Sequence, residues 1–256
     1  MSRVIEEVAR RGFSVIEGVL SGDECAAWRQ KVDRLNGLQN ERFGLRRLEE
    51  LSEVGMVRGM LRDDPDFHAL VRHPATFPIV AEIVGPTAIL HLQNGIVVEP
   101  NEEHHQSAFH RDFAKDFVAE KVLSLNAFFI LDDFTPASGA TWVVPGTHRS
   151  STFPDPRLLQ EAAVQVEAPA GSVMIFDSLL IHRAGSNLTS APRRAINHQY
   201  TRPFIKQQMD YPVLLRGLVD PESPLAQTFG FWSVPPKSVE EFRVDPERRT
   251  YRRGQG

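Results

Sequence analysis

Near Thr87 the chain changes character, and that change limits what it can fold into. Beyond it, "TAILHLQNGIVVE", "VLSLNAFFILDD", "GATWVVPG", "AAVQVEAP", "GSVMIFDS" and "RRAINHQYTR" follow one another as short β-rich runs separated by Gly, Pro, Asp or Asn. A parallel sheet needs a long crossover, usually a helix, between successive strands, and no helical pattern interrupts these runs. The predicted fold is therefore mainly β with N-terminal helices, its core an antiparallel jelly-roll or barrel. One domain is expected: a helical part over about 1–86, a β core over about 87–205 and a Pro-spaced, irregular extension over 206–256.

The helical part has its own punctuation. After a strand-like "FSVIEGVL", Ser21-Gly22-Asp23-Glu24 spells a capping box, in which Ser21 accepts from the backbone three residues on and Glu24 reaches back. Trp28, Val32 and Leu35 then recur at i, i+4 and i+7, an apolar stripe on one helix face. "ERFGLRRLEELSEVGMVRGMLRD" reads as helix plus connecting loop, and "DPDFHALVRHPATFPIVAEIVG" as two short helices stopped by Gly85-Pro86.

Composition excludes several classes. With 256 residues, 41% of them hydrophobic, the chain can bury a substantial core. A net charge of -4 predicts neither a nucleic-acid nor a membrane-surface partner. The single cysteine, Cys25, rules out an intrachain disulfide and points to a reducing, cytoplasmic setting. No apolar run approaches the ~20 residues a bilayer requires. The N-terminus lacks a signal peptide's apolar block, so the sequon Asn187-Leu188-Thr189 is read as unmodified.

Chemistry concentrates in "HHQSAFHRDFAKDF", residues 104–117. Its His110-Arg111-Asp112 invites comparison with a protein-kinase catalytic loop, which needs Asn five positions after the Asp. That position holds Phe117, and neither a Gly-x-Gly-x-x-Gly loop nor an Asp-Phe-Gly appears, so the kinase reading fails. His-x-Asp on an extended segment instead points both side chains to one side, where they can share a metal ion. A third ligand is available from "LLIHRAGSN" as His182. Two histidines and one carboxylate form the facial triad of non-haem Fe(II) oxygenases. Eleven residues further on, Arg193 offers a rigid fork of donors suited to a carboxylate.

The order His110-x-Asp112, His182, Arg193 resembles the phytanoyl-CoA dioxygenase-like branch of Fe(II)/2-oxoglutarate oxygenases. So do "FILDDFTPASGATWVVPGTHR", "APAGSVMIFDSLLIHRAGSN" and "RRGFSVIEGVLSGDECAAWR", and the resemblance extends over about residues 11–205. It implies a double-stranded β-helix, a jelly-roll of the cupin-like kind, buttressed by helices. It further implies Fe(II) held by His110, Asp112 and His182, with 2-oxoglutarate and O₂ as co-substrates and the distal carboxylate on Arg193. Spacing from His182 favours Arg193 over Arg194, which faces the other side of the same strand. Gln93 matches a polar position that in some relatives helps hold 2-oxoglutarate. Ser124, Asn126 and Phe128 share one strand face of pocket-like character, which makes Asn126 a second candidate contact. Several relatives carry a serine two residues after the distal histidine; here Ala184 stands there, with Thr141 a possible substitute.

The reaction so implied is oxidation, typically hydroxylation, of an unactivated C–H bond in a small molecule such as a natural product, sugar or amino-acid-like compound. A halogenase of this fold would lack the carboxylate ligand, and Asp112 is present. Two other classes stay open: a cupin-like metal-dependent hydrolase or isomerase on the same triad, and a non-catalytic jelly-roll binding module. Other residues have plainer readings. His104 and His105 belong to a solvated or lid loop, His148 to a turn, Trp142 to the core and His91 to core or pocket. Arg111, Lys115 and Arg202 read as surface cations near the mouth. Oligomeric state is not legible in one chain.

Overall fold

The computed structural model describes residues 1–101, 106–113 and 117–255. Nine strands lie among them: β1 (Phe13–Ile16), β2 (Met56–Val57), β3 (Ile89–Val98), β4 (Ser124–Ile130), β5 (Trp142–Val143), β6 (Val164–Gln165), β7 (Val173–Asp177), β8 (His182–Arg183) and β9 (Arg193–Thr201). A six-stranded sheet runs β1-β7-β4-β9-β3-β2 and a three-stranded sheet runs β6-β5-β8, with every described pair antiparallel. The expected jelly-roll is present. It draws on more of the chain than 87–205, because β1 and β2 close the two edges of the large sheet.

Alternation along the central strands splits the core in two. Leu125, Ala127 and Phe129 of β4, with Val173, Ile175, Ile196 and Tyr200, face outward onto the helices. Phe128 and Ile130, with Met174, Phe176, Ile96 and Ala195, face inward and meet Phe134, Val143 and Leu180. Phe129 is fully buried, and its truncation to Ala is expected to cost about 3–5 kcal/mol.

The helical layer begins with α1 (Ser2–Arg11), stopped by Gly12 at φ 90. A Cβ there would lie 2.7 Å from both His148 Nδ1 and Leu180 Cδ1, so the turn into β1 requires glycine. In α2 (Gly22–Phe43) both halves of the capping box form. Val32 and Leu35 are buried against the large sheet's outer layer, and Trp28 packs on Phe67 with ring centroids 5.1 Å apart. Beyond β9 the extension packs on the same side: Gln207 Nε2 donates to the Leu90 carbonyl at 2.6 Å, and the Gln93 N–H donates to Tyr211 Oη at 2.7 Å.

Some expectations need correcting. A helix, Pro156–Ala162, does interrupt the β-rich half, with Asp155 accepting from the Arg157 N–H as its cap. Asn187 is fully buried and donates to the carbonyls of Val98 and Ala191, so the sequon serves a turn. No helix among the described residues is long and apolar enough to cross a membrane.

Candidate active site

Backbone pairing brings the two halves of the motif together. His110 and His182 form an antiparallel bridge, each N–H donating to the other's carbonyl at 2.9 and 3.0 Å. The Asp112 N–H donates to the Ser178 carbonyl at 3.0 Å. The segment 110–112 is thus clipped along 178–182, beside β8 of the small sheet. His110, Asp112 and His182 offer ligand atoms that all lie within 4.8 Å of one another, and Asp112 Oδ1 stands 3.5 Å from Nε2 of both rings.

Protonation favours metal binding. His110 Nδ1 lies 2.9 Å from the Ala108 carbonyl and His182 Nδ1 2.9 Å from the Leu180 carbonyl. A carbonyl only accepts, so each ring donates from Nδ1, and Nε2 of both rings is the atom turned toward Asp112. Burial pulls the His182 imidazole toward neutrality against the attraction of Asp112. Burial works to raise the Asp112 carboxyl, but His182, His110 and the Asn126 donor together hold it below the ordinary carboxylate range. Neutral imidazoles and an ionised carboxylate are the forms a divalent ion binds.

Arg193 enters the same cavity, of about 260 Å³, from the inner face of β9. Its guanidinium is buried, sits 4.5 Å above the Phe134 ring, and leaves Nε and Nη1 without a partner among the described residues. Burial lowers its pKa to about 10, with Asp132 pulling the other way, so it stays charged at neutral pH. Arg194 faces outward and bonds both Asp33 and Asp132. Ala184 and Thr141 both line the cavity.

The other predicted contacts fall elsewhere. Asn126 sits behind the metal motif: its Nδ2 donates to Asp112 Oδ2 at 3.1 Å and to Ser178 Oγ at 2.9 Å. Gln93 faces away from the cavity, correcting the expectation of a co-substrate contact. On β3 it is Leu92, Asn94 and Ile96 that line the cavity, while Gln93 Nε2 lies 2.9 Å from His198 Nε2 under the helices. The polar position was assigned to the wrong phase of the strand, and Asn94 holds the inward one. His91 stacks edge-on against Phe113. Arg111 is no surface cation: on the opposite side of the strand from its neighbours, it is buried and donates to the carbonyls of Thr147, Ser150, Ser151 and Thr152. Arg202 lies beyond β9, beside Gly85. His148 does serve a turn, bonding the Ala9 carbonyl, and Trp142 lies under the Arg183 guanidinium. His104, His105 and Lys115 lie outside the described residues.

Reasoning from sequence missed Asn197, Gln199 and Arg58, all on the cavity wall. The first two were within reach, since alternation from Arg193 puts Ala195, Asn197 and Gln199 on its face. Arg58 comes from a loop with no pattern to announce it.

An antiparallel jelly-roll with a His-x-Asp…His cluster and a buried arginine in one cavity is the arrangement of a 2-oxoglutarate oxygenase. The phytanoyl-CoA dioxygenase (PhyH) family model matches residues 8–195, and the chain belongs to that family. It is an Fe(II)- and 2-oxoglutarate-dependent dioxygenase. A protein of Mycobacterium tuberculosis, Rv1501, is 38% identical over 96% of this chain and 92% of its own length. The ectoine dioxygenase of Bordetella parapertussis is 27% identical over 74% of this chain and 71% of its own. Among solved structures, AviO1 from Streptomyces viridochromogenes superposes with a TM-score of 0.62 at 24% identity, covering 79% of this chain and 95% of that one. The epimerase SnoN, in complex with Fe3+, alpha ketoglutarate and nogalamycin RO, gives 0.59 at 23% identity, covering 78% and 82%. These two likenesses show the fold.

Proposed function

We propose that His110, Asp112 and His182 hold the Fe(II), that Arg193 grips the distal carboxylate of 2-oxoglutarate, and that the enzyme oxidises an unactivated C–H bond of a small molecule. The observation that carries this reading is a clustered donor set sharing a cavity with a buried guanidinium whose Nε and Nη1 lack hydrogen-bond partners among the described residues. A buried charge without partners is costly, and a dicarboxylate supplies the missing acceptors in the bidentate geometry arginine prefers. The relatives named ectoine dioxygenase support a small organic substrate.

When bound, the iron and 2-oxoglutarate supply oxidation by O₂, with succinate and CO₂ as co-products. The chain's own residues set the geometry. Asn126 holds Asp112 Oδ2, which leaves Oδ1 facing the two histidines. The carbonyls of Ala108 and Leu180 fix the imidazoles, a support that typically changes metal affinity 10–100-fold when lost. Phe128, Met174 and Phe176 give the cavity apolar walls that limit water around the reacting centre.

The test is anaerobic. Metal-free protein given Fe(II) and then 2-oxoglutarate should develop a weak visible charge-transfer band, absent in His110→Ala and weakened in Arg193→Ala. Iron binding without that band would overturn the reading.

A further inference from the structure

The cavity wall carries a hydrogen-bond acceptor that 2-oxoglutarate cannot satisfy. Ionised Asp112 only accepts, so Asn126 must present its amide NH₂ to Oδ2. That fixes the Asn126 amide, whose Oδ1 then accepts from Asn197 Nδ2 at 2.9 Å. Asn197 is oriented in turn. Its Oδ1 is buried and meets no donor among the described residues, while its side chain lines the cavity. A buried acceptor left without a donor costs about 1–3 kcal/mol. Ionised 2-oxoglutarate is itself only an acceptor, so the matching donor belongs to another molecule.

The charges around the cavity narrow that molecule further. Arg58 also lines the cavity, but its Nε and Nη2 donate to the Glu53 carboxylate at 2.8 and 2.6 Å and its Nη1 donates to Asn94 Oδ1. The Arg58 charge is matched and its fork is used. Arg111 spends its guanidinium on backbone carbonyls, as described above, and Arg193 is assigned to 2-oxoglutarate. Among the described lining residues Asp112 is the one carboxylate, and it faces the histidines. The remaining polar groups among the described lining residues are uncharged, amides such as Gln199 and Gln208 and the Thr141 hydroxyl, set between apolar walls.

We propose that the substrate is a neutral, hydroxyl-rich molecule of the polyol or sugar class, and that Asn197 Oδ1 is the acceptor that selects it. The inference rests on the assignment of iron and 2-oxoglutarate made above. In a cavity of about 260 Å³ shared with the co-substrate, the substrate is compact or presents one end of a larger molecule. Asn197 is a specificity residue here: a hydroxyl donor completes it, and an analogue lacking that hydroxyl leaves it unpaired.

Anaerobic titration calorimetry on the Fe(II)- and 2-oxoglutarate-loaded protein tests this. The probes are methyl glucosides, myo-inositol and sucrose with their deoxy counterparts, set against sugar phosphates, zwitterionic amino acids and acyl-CoA thioesters. The expected result is binding of a neutral polyol, about tenfold or more tighter than its deoxy counterpart. That ratio should fall toward one in Asn197→Leu. Asn197→Ala, which only removes atoms, repeats the comparison should the leucine variant not fold. Binding confined to the charged or acyl probes, no polyol binding, or an unchanged ratio in the variants each overturns the proposal. The visible band of the same sample separates the two levels. A band without polyol binding removes this inference alone, and no band removes the site assignment and this inference with it.

Discussion

Arg193 and Arg194 are neighbours on one strand with opposite surroundings. Arg194, on the outer face, forks onto Asp33 and also bonds Asp132, so its charge is matched within the chain. Arg193, on the inner face, is more deeply buried and keeps two donor nitrogens unmatched among the described residues. The outward arginine ties a helix to the sheet. The inward one is a stability cost to the fold, which under the proposed function a bound dicarboxylate offsets.

That contrast can be broken experimentally. The largest effect is expected from Asp112→Ala, which should abolish iron-dependent succinate formation and the visible band together. Arg193→Leu comes next: the KM for 2-oxoglutarate should rise about 30-fold or more, since a charged ligand loses its buried partner. The same variant should raise the melting temperature of the unloaded protein, because a buried guanidinium with idle donors has gone. Arg194→Leu should do the reverse, losing about 1 kcal/mol of stability in denaturant titration with KM unchanged. The opposite pattern in these two variants would show that the outer arginine, not the inner, serves the ligand. Asn126→Ala should weaken iron binding about 10–100-fold by metal titration while leaving the fold intact.

The smallest effect concerns pH. Burial raises the Asp177 carboxyl from its ordinary 3.8 to about 6, partly offset by the Leu179 N–H and Arg111. Between those values the folded protein keeps a proton that the unfolded chain has released. The group's contribution is therefore full below the lower value and is lost as pH rises through about 6. Asp177→Asn should flatten that fall, gaining about 1–2 kcal/mol at neutral pH. A variant with unchanged stability at neutral pH would argue against a strained carboxylate there.

The sheet's central strands were legible because each runs at least five residues with alternation and turn residues at its ends. Of the two-residue strands, β5 and β6 lie in runs rich in β-branched and aromatic residues, whereas β2 and β8 lie beside charged or loop residues and show no such run. The helix after Asp155 was announced by an Asp-Pro start that a run of β-rich segments obscured. Asn126 was placed on the right face but with the wrong partner, because the carboxylate it holds arrives from a loop fourteen residues earlier. Gln93 lies on the outer phase of β3, and Arg111 is buried beneath the carbonyls of Thr147, Ser150, Ser151 and Thr152. Both were decided by tertiary placement, which a single strand's pattern does not encode.

The bridge between His110 and His182 carries a consequence for assembly. The two histidines approach only when segments 110–112 and 178–182 have zipped together, since each backbone holds the other. In the chain β4, β5, β6 and β7 all lie between them, so the bridge joins the two ends of most of the β core. A half-folded chain therefore offers no finished claw, and loose histidines and carboxylates bind whichever ion the Irving–Williams order favours. Copper and zinc outrank iron in that competition. Because the two candidate ligand segments meet only across this bridge, the donor cluster and the cavity beside it belong to the folded chain and not to any local stretch of sequence.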